Sequence, residues 1–138
     1  MSARKATALK LLQGTARADR IHAEPRYRGG VPKPPATLSL AARGFWKELA
    51  KLLDGSGVLA EADRQALALT CSALAEHQAA QSVVAASGAT YEAKTEAGTV
   101  LHRQRPEVAI AADAWRRALR GLIEFGLTPA SRGRIEVK

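Results

Sequence analysis

The chain has 138 residues, a net charge of +8 and a hydrophobic fraction of 46%, but 29 of its hydrophobic residues are alanine and only 4% of the sequence is aromatic. Because alanine has the highest intrinsic helix propensity, this composition favours a mainly α-helical fold with a thin core and closely packed helices. We expect an intracellular protein, since no apolar run approaches the ~20 residues that span a bilayer, no secretory signal is seen, and the single cysteine, Cys71, excludes an internal disulfide and a multi-cysteine zinc site.

Charge is concentrated at the two ends of the chain. Residues 1–35 carry a net +6, residues 36–115 carry −2 and residues 116–138 carry +4. A nearly neutral middle between two basic ends favours a polyanion partner, because every phosphate that Lys or Arg neutralises releases a counterion. Two alternatives stay open. The bases could serve solubility or an acidic protein partner, or they could bind a membrane surface, although neither end carries the Trp and Phe anchors typical of that role.

The N-terminal segment, residues 1–37, is predicted to be a flexible basic arm followed by a proline-rich linker. A short helix over Ala6–Gln13 ends at Gly14. Residues 15–35 contain four prolines and two adjacent glycines. This composition predicts an extended chain without a packed core.

A helical oligomerisation core is predicted for residues 38–126. Apolar residues recur at helical spacing in three segments, at about 39–54, 61–86 and 106–125. The connection at Gly55–Gly57 is so short that the first two helices should pack as an antiparallel hairpin. Ser39 is the predicted N-cap of the first helix, and Pro106 is the predicted first residue of the last.

The first and last of these helices each carry a tryptophan on an apolar stripe. Next to Trp46 the stripe consists of Leu38, Ala42, Phe45, Leu49 and Leu52. Next to Trp115 it consists of Val108, Ala112, Leu119 and Leu122. Because this spacing is typical of a buried helix face, both tryptophans are predicted to be structural, with base stacking as the alternative.

The second helix is predicted to extend past its partner and to change character along its length. Its second half is small and polar, and residues 76–82 read EHQAAQS. Such a surface is either exposed to solvent or packed against another copy of the chain. Large apolar residues are scarce, so we expect a homo-oligomer with Ala75–Ala86 at the interface.

After this helix, residues 90–103 are predicted to form a β-hairpin, because apolar and polar residues alternate and threonines are frequent. The last part of the chain, residues 127–138, is predicted to be a basic C-terminal segment. Within it, Thr128 and Pro129 should begin a short helical turn.

Residue patterns that support catalysis are not found. No Gly-rich loop ends in Gly-Lys-Ser/Thr, the three histidines stand apart from other metal ligands, and no set of acids suits a two-metal site. The acidic pairs Glu61/Asp63 and Glu92/Glu96 are interpreted as helix-start charges and exposed hairpin residues. We expect a protein that is not an enzyme and that uses neither a cofactor nor a metal.

Several motifs, taken together, resemble one family of viral proteins. The run 125–134 reads FGLTPASRGR and the run 10–14 reads KLLQG. Between them come the prolines of residues 32–35 and then, at spacing typical of the family, Trp46, Leu49, Leu53, Gly57, Leu59 and Asp63. In this order the motifs resemble the small subunit of a tailed-phage or prophage terminase, in the family whose members end in a Gly-Leu-Thr-Pro-x-x-Arg element. One departure is Arg105 before Pro106, where relatives often have Asn.

The resemblance implies a non-catalytic DNA-packaging protein in the cytoplasm of a bacterial host cell. Proteins of this family form rings, bind concatemeric double-stranded viral DNA at the packaging start, and recruit and regulate the large subunit, which carries the ATPase and nuclease. Two other functions stay open: a transcriptional regulator with a helix-turn-helix around Gly55–Gly57, and a basic assembly adaptor. Against the regulator, Glu61 and Asp63 would place acids where a recognition helix meets phosphates.

The predicted DNA contacts are the bases at the two ends of the chain, which should bind mainly phosphates. In the arm and linker they are Arg4, Lys5, Lys10, Arg17, Arg20, Arg26, Arg28 and Lys33. In the C-terminal segment they are Arg132, Arg134 and Lys138.

Overall fold

A computed structural model describes residues 7–14 and 27–132 of the chain. In these ranges the elements are, in chain order, α1 (Thr7–Leu12), α2 (Leu40–Asp54), α3 (Arg64–Ser87), β1 (Thr90–Lys94), β2 (Val100–Gln104), α4 (Pro106–Glu124) and α5 (Pro129–Arg132). The two strands pair antiparallel, with Tyr91 opposite Arg103 and Ala93 opposite Leu101. The prediction of a mainly α-helical fold with a helical hairpin, a long C-terminal helix and a small β-hairpin is confirmed.

The helices begin where the local chemistry predicts. The Oγ of Ser39 accepts a hydrogen bond from the backbone N–H of Ala42 at 3.2 Å, which satisfies one free donor at the start of α2. One 3-10 turn precedes α3, and there the Asp63 carboxylate accepts from the N–H of Ala60 at 2.9 Å. Pro106 begins α4, where its missing N–H costs nothing. The predicted N-cap Ser39 and the predicted first residue Pro106 are confirmed, and Glu61 and Asp63 lie in the turn that precedes α3.

The large apolar side chains of the core lie between α2 and the first half of α3. Leu53, Leu67 and Cys71 are the largest fully buried side chains, and Trp46 is only 3% exposed. Trp46 is therefore structural, as predicted. Leu52 was assigned to the same stripe, and that assignment is wrong because its side chain is exposed.

Packing between α3 and α4 relies instead on small residues. Ala80 of α3 and Ala111, Ala114 and Ala118 of α4 are buried, and α4 lies along α3 more extensively than α2 does. At one crossing point the helices approach so closely that a Cβ on Gly121 would overlap the side chain of Thr70. Small residues allow this approach. Because they occupy the face of α4 that meets α3, the larger residues of α4 lie on its other faces.

The second half of α3 is thus covered on one side by α4 of the same chain. The Nδ1–H of His77 donates to the carbonyl oxygen of Ala111 at 3.0 Å, and Glu76 forms an ion pair with Arg117 at 2.6 Å. The expectation that only solvent or another copy faces this half of α3 is wrong for that side. Gln78, Ala79 and the other residues that point away from α4 are exposed.

The described part of the predicted linker packs against the helices. The N–H of Gly30 donates to Leu59 O and the N–H of Glu61 donates to Arg28 O, both at 3.1 Å. Pro32 and Pro35 are buried, as is Leu38. The expectation that no part of residues 15–35 contributes to a packed core is therefore wrong for these two prolines. Extended prolines cover apolar surface well because their rings are rigid and carry no N–H to satisfy.

Candidate assembly and DNA-binding surfaces

Four of the eleven predicted DNA contacts lie within the described residues. Arg28 and Lys33 are exposed, Lys10 is partly buried, and Arg132 ends α5. The backbone pairing of Arg28 with Glu61 places this arginine beside the start of α3. The other predicted contacts, Arg4, Lys5, Arg17, Arg20, Arg26, Arg134 and Lys138, lie outside the described residues.

One group of bases was not selected from the sequence. Arg43, Lys47 and Lys51 recur every four residues along α2, and all three are exposed. Residues at this spacing lie on one helix face, so the three charges form a stripe on the side of α2 away from the core. The Arg43 guanidinium also donates to Ala36 O and Leu38 O, at 2.9 and 3.0 Å. The two lysines of this stripe are therefore more available to a partner than Arg43 is. The four-residue spacing was visible in the sequence.

The arginines of α4 have different roles. Arg117 donates to Glu76 at 2.6 Å and to Asp113 at 2.7 Å, and these hydrogen bonds raise the pKa of its guanidinium above the usual value. Arg116 and Arg120 are exposed and make no hydrogen bond or ion pair with other described residues. They are the arginines of α4 that remain available to a partner.

An open groove of about 520 Å³ lies between α3 and α4, on the side where the α2–α3 core ends. We call this side of the helix pair the groove flank. The residues that define it are His77, Gln81, Val84, Val108, Ala112, Trp115 and Arg116. Among the described residues, the groove walls are mostly apolar, include one arginine and contain no acidic residue.

Trp115 is a wall of this groove and is not part of the core. Trp115 was predicted to be structural because it lies on an apolar stripe typical of a buried helix face, but its side chain is 53% exposed, so in the fold of one chain this face is not buried. The physical reason is the close α3–α4 contact, because the buried face of α4 is the alanine row at residues 111, 114 and 118. The predicted stripe of Val108, Ala112, Trp115, Leu119 and Leu122 lies beside that row.

The opposite side of the helix pair has a different chemistry. Trp115 is two residues from Asp113 and from Arg117, so it points to the other side of α4 at 3.6 residues per turn. We call the second side the ion-pair flank. It consists of Leu69, Glu76, Ala79 and Val83 of α3, and Ile110, Asp113 and Arg117 of α4, all of them exposed.

The β-hairpin projects from the end of this helix pair. All its strand residues are exposed except Ala93, which is partly buried. At its base the Arg105 guanidinium lies 5.9 Å from the centroid of the Tyr91 ring and donates to Ser87 O at 3.2 Å. These contacts tie the hairpin to the end of α3. The prediction that Glu92 and Glu96 are exposed hairpin residues is confirmed.

The run after α4 has a specific geometry. Gly126 has a φ of +73°, which favours glycine, and the N–H of Leu127 donates to Leu122 O at 2.8 Å to close the helix end. Leu127 packs on the core. The N–H of Thr128 then donates to the Oγ of Ser131 at 3.0 Å. Gly126, Leu127 and Thr128 therefore have local structural roles, and Pro129 is the first residue of α5.

Within the described residues, no three His, Cys, Asp or Glu side chains come together as metal ligands would. In the same ranges, none of the helices combines the length and the apolar character that crossing a bilayer requires. His77 bonds to the backbone of α4, and His102 lies exposed on β2.

The comparisons with curated proteins and with solved structures gave no match. In a comparison with protein-family models, residues 42–138 match the family described as phage terminase, small subunit. The matched range begins in α2 and contains α3, the β-hairpin, both flanks of the α3–α4 pair and the Gly-Leu-Thr-Pro run. Because the match covers more than half of the sequence, the chain belongs to the phage terminase small-subunit family.

Proposed function

We propose that this chain is the DNA-recognition subunit of a phage packaging machine. In this role it binds concatemeric viral DNA at the packaging start, and it recruits and regulates the large subunit that carries the ATPase and nuclease. The family match over residues 42–138 is the observation that carries the proposal. The work is binding and assembly in the cytoplasm of the bacterial host, and the chemistry belongs to the large subunit.

DNA contact in this proposal is mainly electrostatic. The N-terminal 35 residues carry +6 and the last 23 residues carry +4, whereas the middle carries −2. Exposed Arg28 and Lys33 continue the arm toward the folded body, and the α2 stripe of Arg43, Lys47 and Lys51 adds bases on the body itself. Contacts of this kind neutralise phosphates and position a protein on DNA, without specifying sequence.

Copies of the chain are proposed to form a closed ring. Both flanks of the α3–α4 pair expose apolar side chains, with Trp115 on one flank and Leu69 and Val83 on the other. A head-to-tail contact that closes into a ring would cover both flanks of every copy. A ring would also array several basic arms around one DNA, so that individually weak contacts gain from effective concentration.

The salt dependence of DNA binding tests the electrostatic role of the arm. Binding of duplex DNA is measured against salt concentration for the full chain and for a chain that begins at residue 27, which keeps the packed segment around Pro32 and Pro35. We expect the slope of log affinity against log salt to fall by about 0.9 for each phosphate contact removed. A matched variant, Lys47→Gln with Lys51→Gln, reports on α2 alone. An unchanged slope without the arm would contradict its role.

One observation favours the rival function, a transcriptional regulator. Arg64 and Gln65 are exposed in the first turn of α3, where a recognition helix presents base-reading side chains. The Asp63 carboxylate accepts a hydrogen bond from the N–H of Ala60, whereas Glu61 stays exposed as an acid beside the start of this helix. Stimulation of the large subunit's ATPase by the chain distinguishes the two functions, because a regulator would have no such effect.

A further inference from the structure

We infer that the groove flank of one copy binds the ion-pair flank of the next copy. This inference rests on the proposed ring and specifies which surfaces form it. Each chain carries both flanks on opposite sides of a single helix pair. The contact is therefore between two different surfaces, and repetition of one contact can build the whole assembly.

The groove flank has the character of a surface that needs an apolar partner. Trp115 is 53% exposed beside the groove, and Val108 and Ala112 continue the apolar wall. In the same chain α2 packs against the first half of α3, so the groove lies beyond its reach. Exposed tryptophans in pockets are frequent anchors of protein–protein contacts.

Charge favours the ion-pair flank as the occupant. The groove walls contain Arg116 and no acidic residue, and Arg116 has no partner among the described residues. On the ion-pair flank Glu76 and Asp113 share the single base Arg117, which leaves one negative charge in excess. A copy that places this flank against the groove gives Arg116 an acidic partner. The chain's own arm, with its +6 charge, lacks that complementarity.

Shape supports the same pairing. On α3, Leu69, Glu76 and Val83 are seven residues apart, and Ala79 lies between the last two, so the ion-pair flank contains one exposed row with apolar, acidic and small side chains. A repeat of seven residues keeps such a row facing one partner helix. Ala79 has the small side chain that would let the Trp115 ring of another copy approach. The large Trp115 ring on the groove flank would then face the small Ala79 side chain on the ion-pair flank.

Cysteine cross-linking tests the pairing in the full-length protein. The native thiol does not interfere, because Cys71 is buried and burial raises its pKa to about 11. Ala112→Cys places a thiol on the groove flank and Ala79→Cys places one on the ion-pair flank; both alanines are exposed. A short bis-maleimide is added to the native protein, and the products are separated under denaturing conditions.

We expect the double variant to give a ladder of covalent oligomers and each single variant to remain monomeric. Co-expression of the two single variants should give covalent dimers. The matched control is Ala41→Cys with Ala112→Cys, in which one thiol moves to the exposed side of α2 and the ladder is lost.

Native mass spectrometry of the same samples before cross-linking distinguishes a failure of the proposed pairing from a failure of the proposed ring. Oligomers of wild-type mass without a ladder would overturn the pairing and leave the proposed ring intact. Dimers from Ala112→Cys alone would overturn it too, because they would show groove meeting groove. Folded monomers of the wild-type chain would overturn the ring and the pairing together.

Discussion

The two halves of α3 are covered in different ways. The first half packs against α2 through large side chains, among them Trp46, Leu53 and Leu67, and forms the core. The second half packs against α4 through alanines such as Ala80. The two tryptophans show the consequence, since Trp46 is 3% exposed and Trp115 is 53% exposed. An apolar stripe at helical spacing thus predicts that a face is buried, but it leaves open whether the same chain or another copy buries it.

The first prediction tests the half of α3 that has a large-residue core. Trp46→Ala should lower the free energy of unfolding by about 3–5 kcal/mol, because it removes a large buried side chain and leaves a cavity. Urea unfolding followed by circular dichroism, at one fixed protein concentration, measures the change. Leu40→Ala on the exposed side of the same helix is the control and should leave the midpoint unchanged. A small loss for Trp46→Ala would contradict the description of this core.

The second prediction concerns the close contact between α3 and α4 at Gly121 and Thr70. Gly121→Ala should cost about 1–3 kcal/mol, because the added Cβ overlaps the Thr70 side chain and the helices must separate. Thr70→Ala in the same chain should recover part of the loss, since it removes the two atoms nearest to that Cβ. Unfolding of the single and double variants gives the coupling energy. Additive effects would show that the two residues do not meet.

The third prediction is a pH dependence that comes from the α2–α3 core. Burial raises the pKa of the Cys71 thiol from 9.0 to about 11, so between these values the folded chain retains a proton that the unfolded chain loses. The free energy of unfolding should therefore fall as pH rises through this range and be unaffected by this group below it. The measurement is the difference between the wild type and Cys71→Ala, which removes the contribution of other titrating groups. Parallel pH profiles would contradict it.

The fourth prediction separates the two tryptophans. Trp115→Ala should cost far less unfolding free energy than Trp46→Ala, because the side chain is half exposed in one chain, and it should abolish assembly. Ala79→Glu on the ion-pair flank should have the same effect on assembly and leave the α2–α3 core folded. Sedimentation reports the assembly state and near-ultraviolet circular dichroism reports the environment of Trp46. A Trp115→Ala protein that assembles normally would place the interface elsewhere.

Much of the fold follows from local sequence. Ser39, Pro106 and the glycines at the helix ends act through their own backbone chemistry, so their positions predict helix boundaries. The exposure of Trp115 did not follow, because Gly121 and the alanine row let α4 approach α3 along a face that hydrophobicity alone does not single out. The burial of Pro32 and Pro35 was missed for a related reason. Composition marks such a segment as extended, and only the surface that it meets decides whether it packs.

The candidate surfaces, too, divide into features that local sequence predicts and features that depend on tertiary packing. Counting the charged residues showed the positive charge at the two ends of the chain, and Lys47 and Lys51 could have been found from their spacing on α2. The groove could not have been predicted, because it is formed by residues more than twenty positions apart on α3 and α4, such as His77 and Trp115. Its position depends on how closely two helices pack, which is a tertiary property.

In the proposed assembly, other copies of the chain cover the exposed flanks of the α3–α4 pair. Native mass spectrometry of the wild-type protein tests this most directly. The protein is measured at a concentration on the order of tens of micromolar, where an obligate interface should be fully formed. We predict a single closed oligomer of defined mass for the wild type and monomers for Trp115→Ala. A wild-type protein that is fully folded and monomeric at that concentration would contradict the claim.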